Sequence, residues 1–310
     1  MNNPLVSIVV PSYNHEKYVE ETLDSVRNQT YDNMEIIIID DHSEDSSVLK
    51  IESWLHKHKP NNCVFIKHSV NKGLVFGLNE SILLAKGKYW CGCASDDICL
   101  PNRIEESVAI LESLSGKFGA VYSDAYLIKM DGSERYGRFI QKCRDFEDIP
   151  EGDIFNDLVI GNFIPAMTTL IKKAVFDEIG HFDEKMAIED WDMWLRIAKR
   201  YHFAYSRNIF GKYRIHDKNT VHSLVKHYQE IRYRTLVKHA TDNAEVRKQV
   251  LDIARGMYYT SDPAAKEVLK DFRERFGIVS MEYLLSKYHI PHSVPTLFIV
   301  IWRKLCHKRP

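Results

Sequence analysis

Three short apolar runs that stop at oxygen-rich turns constrain this chain more than any other feature. Residues 5 to 10, Leu-Val-Ser-Ile-Val-Val, are almost continuously apolar and end at Pro11. Glu35 to Ile39 runs into Asp40 and Asp41, and Tyr89 to Cys93 runs into Ala94, Ser95, Asp96 and Asp97. Such runs read as strands buried on both faces, the pattern of a parallel sheet. A carboxylate at the end of a core strand needs a partner, because an unpaired buried charge is costly. One suitable partner is a divalent metal holding a polyphosphate, since oxygen ligands suit Mg2+ or Mn2+. A helix N-cap and a turn before Pro101 explain Asp96 and Asp97 equally well on that stretch alone.

The segments between these runs have helical spacing. Tyr18, Val19, Thr22, Leu23 and Val26 form one stripe, with Asn14 as a candidate cap, and Val48, Leu49, Ile51, Trp54 and Leu55 form another. Val64 to Lys67 reads as a third strand, after which Asn71-Lys72-Gly73 leads into a helix ended by Gly87. Alternation of strand and helix through residue 97 predicts an α/β fold with right-handed crossovers and a mostly parallel central sheet flanked by helices. Both Asp pairs then lie at the carboxyl ends of strands, the edge on which open α/β sheets bind ligands. No Gly-x-Gly-x-x-Gly follows the first strand and no Walker A sequence is present, which weakens the dinucleotide and P-loop readings. The loops on that edge offer Tyr13, Asn14, Asp41, Ser43, Asn71 and Lys72 instead.

Further along, Ala120 to Met130 reads as a strand, Asp131-Gly132 as a hairpin turn, and residues 137 to 151 as a loop. Lys173 to Ile179 reads as a helix stopped by Gly180, and Phe203 to Ser206 as an edge strand. Trp191, Trp194, Leu195 and Ala198 share one helical face, and Glu189, Asp190 and Asp192 stand at its N-terminus, where capping alone accounts for negative charge. His216, after Tyr213-Arg214-Ile215, gains functional weight only if the fold returns it to the edge that carries Asp96.

Composition narrows the function classes. The 310 residues carry a formal net charge of -1, so no global basic field argues for nucleic acid. Of the six cysteines, only Cys91 and Cys93 are close, and without a second pair at zinc spacing they read as buried thiols in a reducing compartment. The first apolar run is too short to span a bilayer and reads as a core strand, not a signal segment. Helical patterns at about 226 to 240, 243 to 259 and 263 to 275 set residues 225–310 apart as a helical extension from a domain at 1–224. Its apolar stretch Val294 to Trp302 and the basic residues that follow suit either a membrane surface or a tail packed on the protein.

Taken in order, Val6 to Asn14, Glu35 to Asp45, Asn71-Lys72-Gly73, Ala94-Ser95-Asp96-Asp97, Glu189-Asp190-Trp191-Asp192 and Tyr213-Arg214-Ile215-His216 resemble glycosyltransferase family 2. The match covers about residues 4 to 220. The resemblance implies a GT-A nucleotide-diphospho-sugar transferase fold, with Pro11, Tyr13, Asp41, Asn71, Lys72 and Asp96 on the donor. It implies Asp190 as catalytic base, with Glu189 and Trp191 touching the acceptor or organising the site. Asp96 matches the last aspartate of the family's Asp-x-Asp metal motif, whose first position here is Ala94. Asp96 and His216 are therefore the expected ligands of Mg2+ or Mn2+.

The implied activity is inverting transfer of a hexosyl or N-acetylhexosaminyl group from a UDP- or dTDP-sugar to a glycan or lipid-linked hydroxyl in bacterial surface polysaccharide synthesis. A single base suffices for inversion, whereas glycoside hydrolysis needs two carboxyl groups flanking the bond. The expected location is cytoplasmic, with peripheral contact at the inner membrane face, and oligomer formation stays open. The alternative is a catalytically inactive nucleotide-sugar-binding or assembly protein, for which Ala94 is the best argument.

Overall fold

The computed structural model describes residues 3–132, 135–217, 219 and 225–288. It divides into two compact units, 1–222 and 223–310. The apolar-basic tail at 294 to 309 lies outside the described residues.

The first unit is built on a nine-stranded sheet. Its strands are β1 (Val6–Ser12), β2 (Met34–Asp40), β3 (Cys63–Lys67), β4 (Tyr89–Gly92), β5 (Ile98–Cys99), β6 (Phe118–Ile128), β7 (Arg135–Arg138), β8 (Leu170–Lys172) and β9 (His202–Arg214). The spatial order is β3-β2-β1-β4-β8-β6-β9-β5, with β7 paired to β6. The first four strands are parallel to one another, as alternation through residue 97 predicts. Beyond them the sheet is mixed, which corrects the mostly parallel expectation. β8 runs antiparallel to both β4 and β6, and β5 runs antiparallel to β9, while β6 and β9 are parallel. β7 also runs antiparallel, to β6, where the Asp131-Gly132 signal predicts a hairpin, whereas β5 and β8 are two and three residues long, too short to leave a periodic signal.

Alternation within the strands divides the core. Val6, Ile8, Val10, Ile36 and Ile38 pack with Leu23 and Val26 of α1 (Val19–Arg27) and with Ile51 and Trp54 of α2 (Ser47–His58). Ile104, Val108 and Leu111 of α4 (Arg103–Ser113) complete that cluster, which also holds Cys91 and Cys93. On the other face, Gly77 of α3 (Leu74–Leu84) sits against Ile39, where an added Cβ would lie 3.4 Å from its side chain. Cys91, Cys93 and Cys99 are free and buried, as expected for thiols.

Polar groups in this core are used as ties. The guanidinium of fully buried Arg103 donates to the carbonyls of Gly92 and Thr169 at 2.9 and 3.1 Å, joining α4 to β4 and to the approach to β8. Ser7 Oγ donates to Glu35 Oε1 and accepts from the Gly87 amide, and the same Glu35 oxygen accepts from the Lys86 amide at 2.6 Å. Gly87 is thus held so close to β1 that a Cβ there would lie 2.7 Å from the Ser7 nitrogen. This close approach, and not the end of α3, explains the glycine: α3 stops earlier, at Leu84.

Other local readings need correction. β1 continues through Pro11 to Ser12, with Pro11 placed where Ile39 is its parallel partner. Asn14 does not cap α1. It adopts a positive φ of 55° and accepts from the Glu44 amide, which ties the β1–α1 loop to the loop after β2. Residues 137 to 151 contain the end of β7 and a short helix, α5 (Phe139–Cys143). Phe203 to Ser206 begins the 13-residue β9 and pairs there with β6; β5 meets β9 only at Gly211 and Lys212, so on its other side this stretch has one isolated bridge, from Phe203 to Gly152. Three further helices follow in this unit: α6 (Phe155–Ile160), α7 (Lys173–Ile179) and α8 (Glu189–Ala198).

The second unit is helical over its described residues, with helices at Tyr228–Val237, Ala244–Tyr259, Ala265–Phe276 and Met281–Lys287. Asn243 caps the second of these by accepting from the Glu245 and Val246 amides. Glu282, 1 % exposed, accepts from Arg255 and Tyr259, so its buried charge is paired within the unit.

Candidate active site

The parallel register brings the carboxyl ends of β1, β2 and β4 together. Ser12 pairs with Asp40, the Asp41 amide donates to the Ser12 carbonyl at 2.9 Å, and the Ser95 amide donates to the Pro11 carbonyl at 3.1 Å. Both Asp pairs therefore stand on one sheet edge, and in each pair the two carboxylates divide their tasks. Asp40, fully buried, accepts from Ser12 Oγ, Ser43 Oγ and the Ser43 amide and fixes the turn. Asp41 accepts from His68 Nδ1, 2.7 Å away, and from the amides of Lys72 and Gly73, both at 2.8 Å. Burial pushes the Asp41 carboxyl upward, but the His68 contact and the two amides prevail and hold it below the ordinary carboxylate value.

In the second pair the order is reversed. Asp97 is the brace: one of its oxygens accepts the backbone N–H of Arg214 at 2.9 Å. Burial and the adjacent Asp96 carboxylate push Asp97 well above the ordinary range. Asp96 is the presented group. His216 Nε2 lies 2.9 Å and His15 Nε2 lies 3.8 Å from Asp96 Oδ2. Burial again acts upward on Asp96, yet the His216 hydrogen bond and the two imidazoles lower it.

The fold thus returns His216 to the Asp96 edge and adds a residue that sequence reasoning passed over, His15. One donor atom from each of His15, Asp96 and His216 lies within 4.8 Å of the others. His15 Nδ1 is 2.8 Å from Ser95 Oγ, and its ring meets His216 edge-on with centroids 5.7 Å apart. His216 is stacked on Tyr18, centroids 5.3 Å apart. The available signal for His15 was Ala94: a site that lacks one motif carboxylate needs another donor from a nearby loop.

Arg214 holds this corner together. It is 1 % exposed and donates through Nε to the Asp96 carbonyl at 2.8 Å, through Nη1 to the Met130 carbonyl at 2.9 Å and through Nη2 to Glu21 at 2.6 Å. Its guanidinium also lies over the Tyr18 ring, 4.8 Å from the centroid.

Asp190 is the second residue of α8, in the first turn, where negative charge meets the helix N-terminus. Its side chain keeps part of its surface open while the protein crowds around it. Burial and the neighbouring Glu189 push its carboxyl up to about 7, against the Trp191 amide and the Asn162 side chain, which favour the charged form. Glu189 is itself raised by burial. The Tyr213 hydroxyl is raised chiefly by its own burial and further by the charges of Asp97, Asp96 and Asp190. Trp191 is 1 % exposed, and its indole N–H donates to the Leu158 carbonyl at 2.8 Å, fastening α8 to α6.

Of the other residues expected on the donor, Lys72 contacts Asp41 through its backbone N–H. Tyr13 is 44 % exposed, Pro11 is half-buried, and the Asn71 side chain accepts from the Gly73 amide. Lys72 carries its ammonium over the Phe76 ring, 4.4 Å from the centroid. Among the described residues no helix is long and apolar enough to cross a membrane.

Comparison with known proteins gives a consistent answer. Residues 7–178 match the model of the family described as glycosyl transferase family 2. An uncharacterized glycosyltransferase of Rickettsia typhi is 31 % identical over 229 residues, which is 74 % of this chain and 69 % of that protein. A putative colanic acid biosynthesis glycosyl transferase of Escherichia coli, WcaA, is 28 % identical over 64 % of this chain and 68 % of its own length. Two solved structures share the fold. Staphylococcus aureus TarS 1–349 in complex with UDP-GlcNAc gives a TM-score of 0.65 at 16 % identity, covering 92 % of this chain and 88 % of that one. The mannosyltransferase PcManGT of Pyrobaculum calidifontis, in complex with GDP-Man and Mn2+, gives 0.60 at 17 % identity, covering 93 % and 80 %.

Proposed function

This chain belongs to glycosyltransferase family 2, and from that premise we propose that it transfers a sugar with inversion from a UDP-sugar, or a dTDP-sugar, to a hydroxyl of a glycan or lipid-linked acceptor. The observation that carries the reading is the meeting of His15, Asp96 and His216 on the strand edge that also presents Asp41. The two solved neighbours bound to nucleotide sugars support that donor class, and the one with UDP-GlcNAc supports the uridine member of it. WcaA supports a surface-polysaccharide setting.

The donor set fits a divalent cation. Two imidazoles and a carboxylate converge within 4.8 Å, and sugar diphosphate oxygens and water would complete the shell. Imidazole donors favour Mn2+ over Mg2+, because Mg2+ demands oxygen ligands and near-ideal octahedral geometry. When bound, the ion acts as a Lewis acid on the charge that develops on the leaving diphosphate.

The chain's own groups supply the rest. Asp41, fixed by His68 and two amides, offers its remaining acceptor capacity to an N–H of the nucleobase, with Tyr13, Pro11, Asn71 and Lys72 around it. Asp190 takes the proton of the acceptor hydroxyl as that oxygen bonds to the anomeric carbon and the C–O bond to the diphosphate breaks, with its electron pair leaving on the diphosphate. A carboxyl held up to about 7 is a stronger base than an ordinary aspartate and is still ionised for much of the population at neutral pH. Glu189 raises it, and Trp191 organises the helix that carries it. The inactive-binder alternative loses its main support, since His15 replaces the donor missing at Ala94.

The test is UDP release from UDP-sugars with Mn2+ present, compared for wild type and Asp190→Asn. Transfer by wild type that is lost in the variant, with UDP binding retained, supports the reading. Equal transfer by a folded variant removes Asp190 as the base.

A further inference from the structure

The segment between α6 and β8 holds a polar side chain to which neither the sequence motifs nor the family match assigns a role. Asn162 Nδ2 donates to Asp190 Oδ1 at 3.2 Å. The other end of the same amide is also used, because Asn162 Oδ1 accepts from the Ile164 backbone N–H at 3.2 Å. With its oxygen engaged by a main-chain donor, the amide can turn only its NH2 toward the carboxylate, so orientation follows from hydrogen-bond chemistry. The indole N–H of Trp191 reaches the Leu158 carbonyl of α6, which fastens the base of this segment to the helix that carries Asp190. Phe163 and Ile164, 1 % and 0 % exposed, anchor the segment in the core immediately after Asn162.

We propose that Asn162 is a positioning residue for transfer, which holds the Asp190 carboxylate in the orientation that receives the acceptor proton. This inference rests on the reading of Asp190 as the base. The amide engages Oδ1 of the carboxylate, and together with the Trp191 backbone N–H, which also favours the charged form, it fixes how the carboxylate is turned toward the acceptor hydroxyl. The arrangement is that of a base oriented by a third group, with a neutral amide in the orienting place. An amide suits this position better than a carboxylate, because Glu189 already sets a like charge beside Asp190. The charged or titratable groups that sense Asp190 are Glu189 on its own helix, Cys143 on α5 and Tyr213 on β9. Asn162 supplies a side-chain donor from a fourth element, and donation to the charged form favours ionisation.

The experiment follows the Asp190 carboxyl by 13C NMR in the full chain, assigned with Asp190→Asn, in wild type, Asn162→Asp and Asn162→Ala. Asn162→Asp keeps the oxygen that accepts from Ile164 but replaces the donor by a second carboxyl oxygen, and Asn162→Ala removes the donor without adding charge, so the two together separate the contact from folding and from added charge. The expected wild-type midpoint is about 7. Both variants raise it, Asn162→Asp the more because it adds like charge. Turnover, read as UDP release, falls roughly 10- to 100-fold in kcat with the donor KM retained, and the loss persists above the shifted midpoint, as misorientation of a base requires. An unmoved midpoint overturns the proposal. So does a raised midpoint with full turnover restored at high pH, because the amide then tunes ionisation without orienting. A folded Asp190→Asn chain that transfers as wild type does, or a wild-type chain that turns over no nucleotide sugar, removes the proposed function instead, and the midpoint still decides whether Asn162 acts on Asp190.

Discussion

The backbone N–H of Arg214 donates to the Asp97 carboxylate at 2.9 Å across a sequence separation of 117 residues. Through this bond and the guanidinium contact to the Asp96 carbonyl, the end of β9 sets the loop that presents Asp96. Replacing Arg214 by Met would leave the carbonyls of Asp96 and Met130 without their donor while keeping much of the volume. We expect a loss of roughly 2 to 4 kcal/mol in urea unfolding. Arg214→Lys should recover only part of it, because a point charge cannot reach acceptors that a planar fork spans.

Metal affinity should depend on all three converging side chains. Mn2+ titration by calorimetry, without donor, should weaken by about tenfold or more for His15→Ala and for His216→Ala, with the largest loss for Asp96→Ala. Ala94→Asp, which restores the second motif carboxylate, should improve Mg2+ binding relative to Mn2+. Unchanged Mn2+ binding by His15→Ala would exclude His15 from the site.

Asp190 gives a pH prediction with two signs. Its carboxyl stands at about 7 in the folded chain against an ordinary 3.8, so the native state binds more protons between those values. The contribution of this group to stability is therefore greatest at low pH and is lost as pH rises through about 7. Activity moves the opposite way, rising as the base ionises. Asp190→Asn should thus melt higher than wild type at about pH 8, with the difference shrinking toward about pH 4. A constant difference in melting temperature across that range would show that the carboxyl is not raised.

Gly87 is required by contact, not by helix termination. Gly87→Ala places a methyl carbon 2.7 Å from the Ser7 nitrogen and from the Ser7 hydroxyl oxygen. The expected cost is about 1 to 3 kcal/mol in urea unfolding, with UDP binding by the folded fraction retained. A neutral result would mean that β1 and the β4 entry move apart freely.

The half of the fold that was legible in the sequence is the half with strong local periodicity. β1, β2 and β4 are apolar runs of ordinary strand length, and their parallel register carries Asp41 and Asp96 to one edge without further information. The direction of the right-hand strands was not legible, since β5 and β8 pair through two or three residues each. His15, and the contacts of Arg214 within the Tyr213-Arg214-Ile215-His216 segment, were not legible for a different reason. Ser95, the hydrogen-bond partner of His15, lies 80 residues away, and the Arg214 guanidinium reaches Met130 and Glu21, 84 and 193 residues away. Neither residue carries a spacing that a local pattern can register. Asp190 is singled out by its motif alone, while the Asn162 amide that meets it lies in another segment and gives no local sign.

The contact between His216 and Asp96 spans 120 residues, and this separation also sets an order of events during synthesis. A nascent chain that has emerged only as far as α8 already contains Asp41, Asp96 and the acidic start of that helix, but lacks Arg214 to set the Asp96 loop and His216 to complete the cluster. The last strand and the turn after it therefore finish this corner as well as the sheet. A first unit that ends before Arg214 and His216 lacks the contacts to Asp96 and Asp97 and one of the three side chains of the cluster.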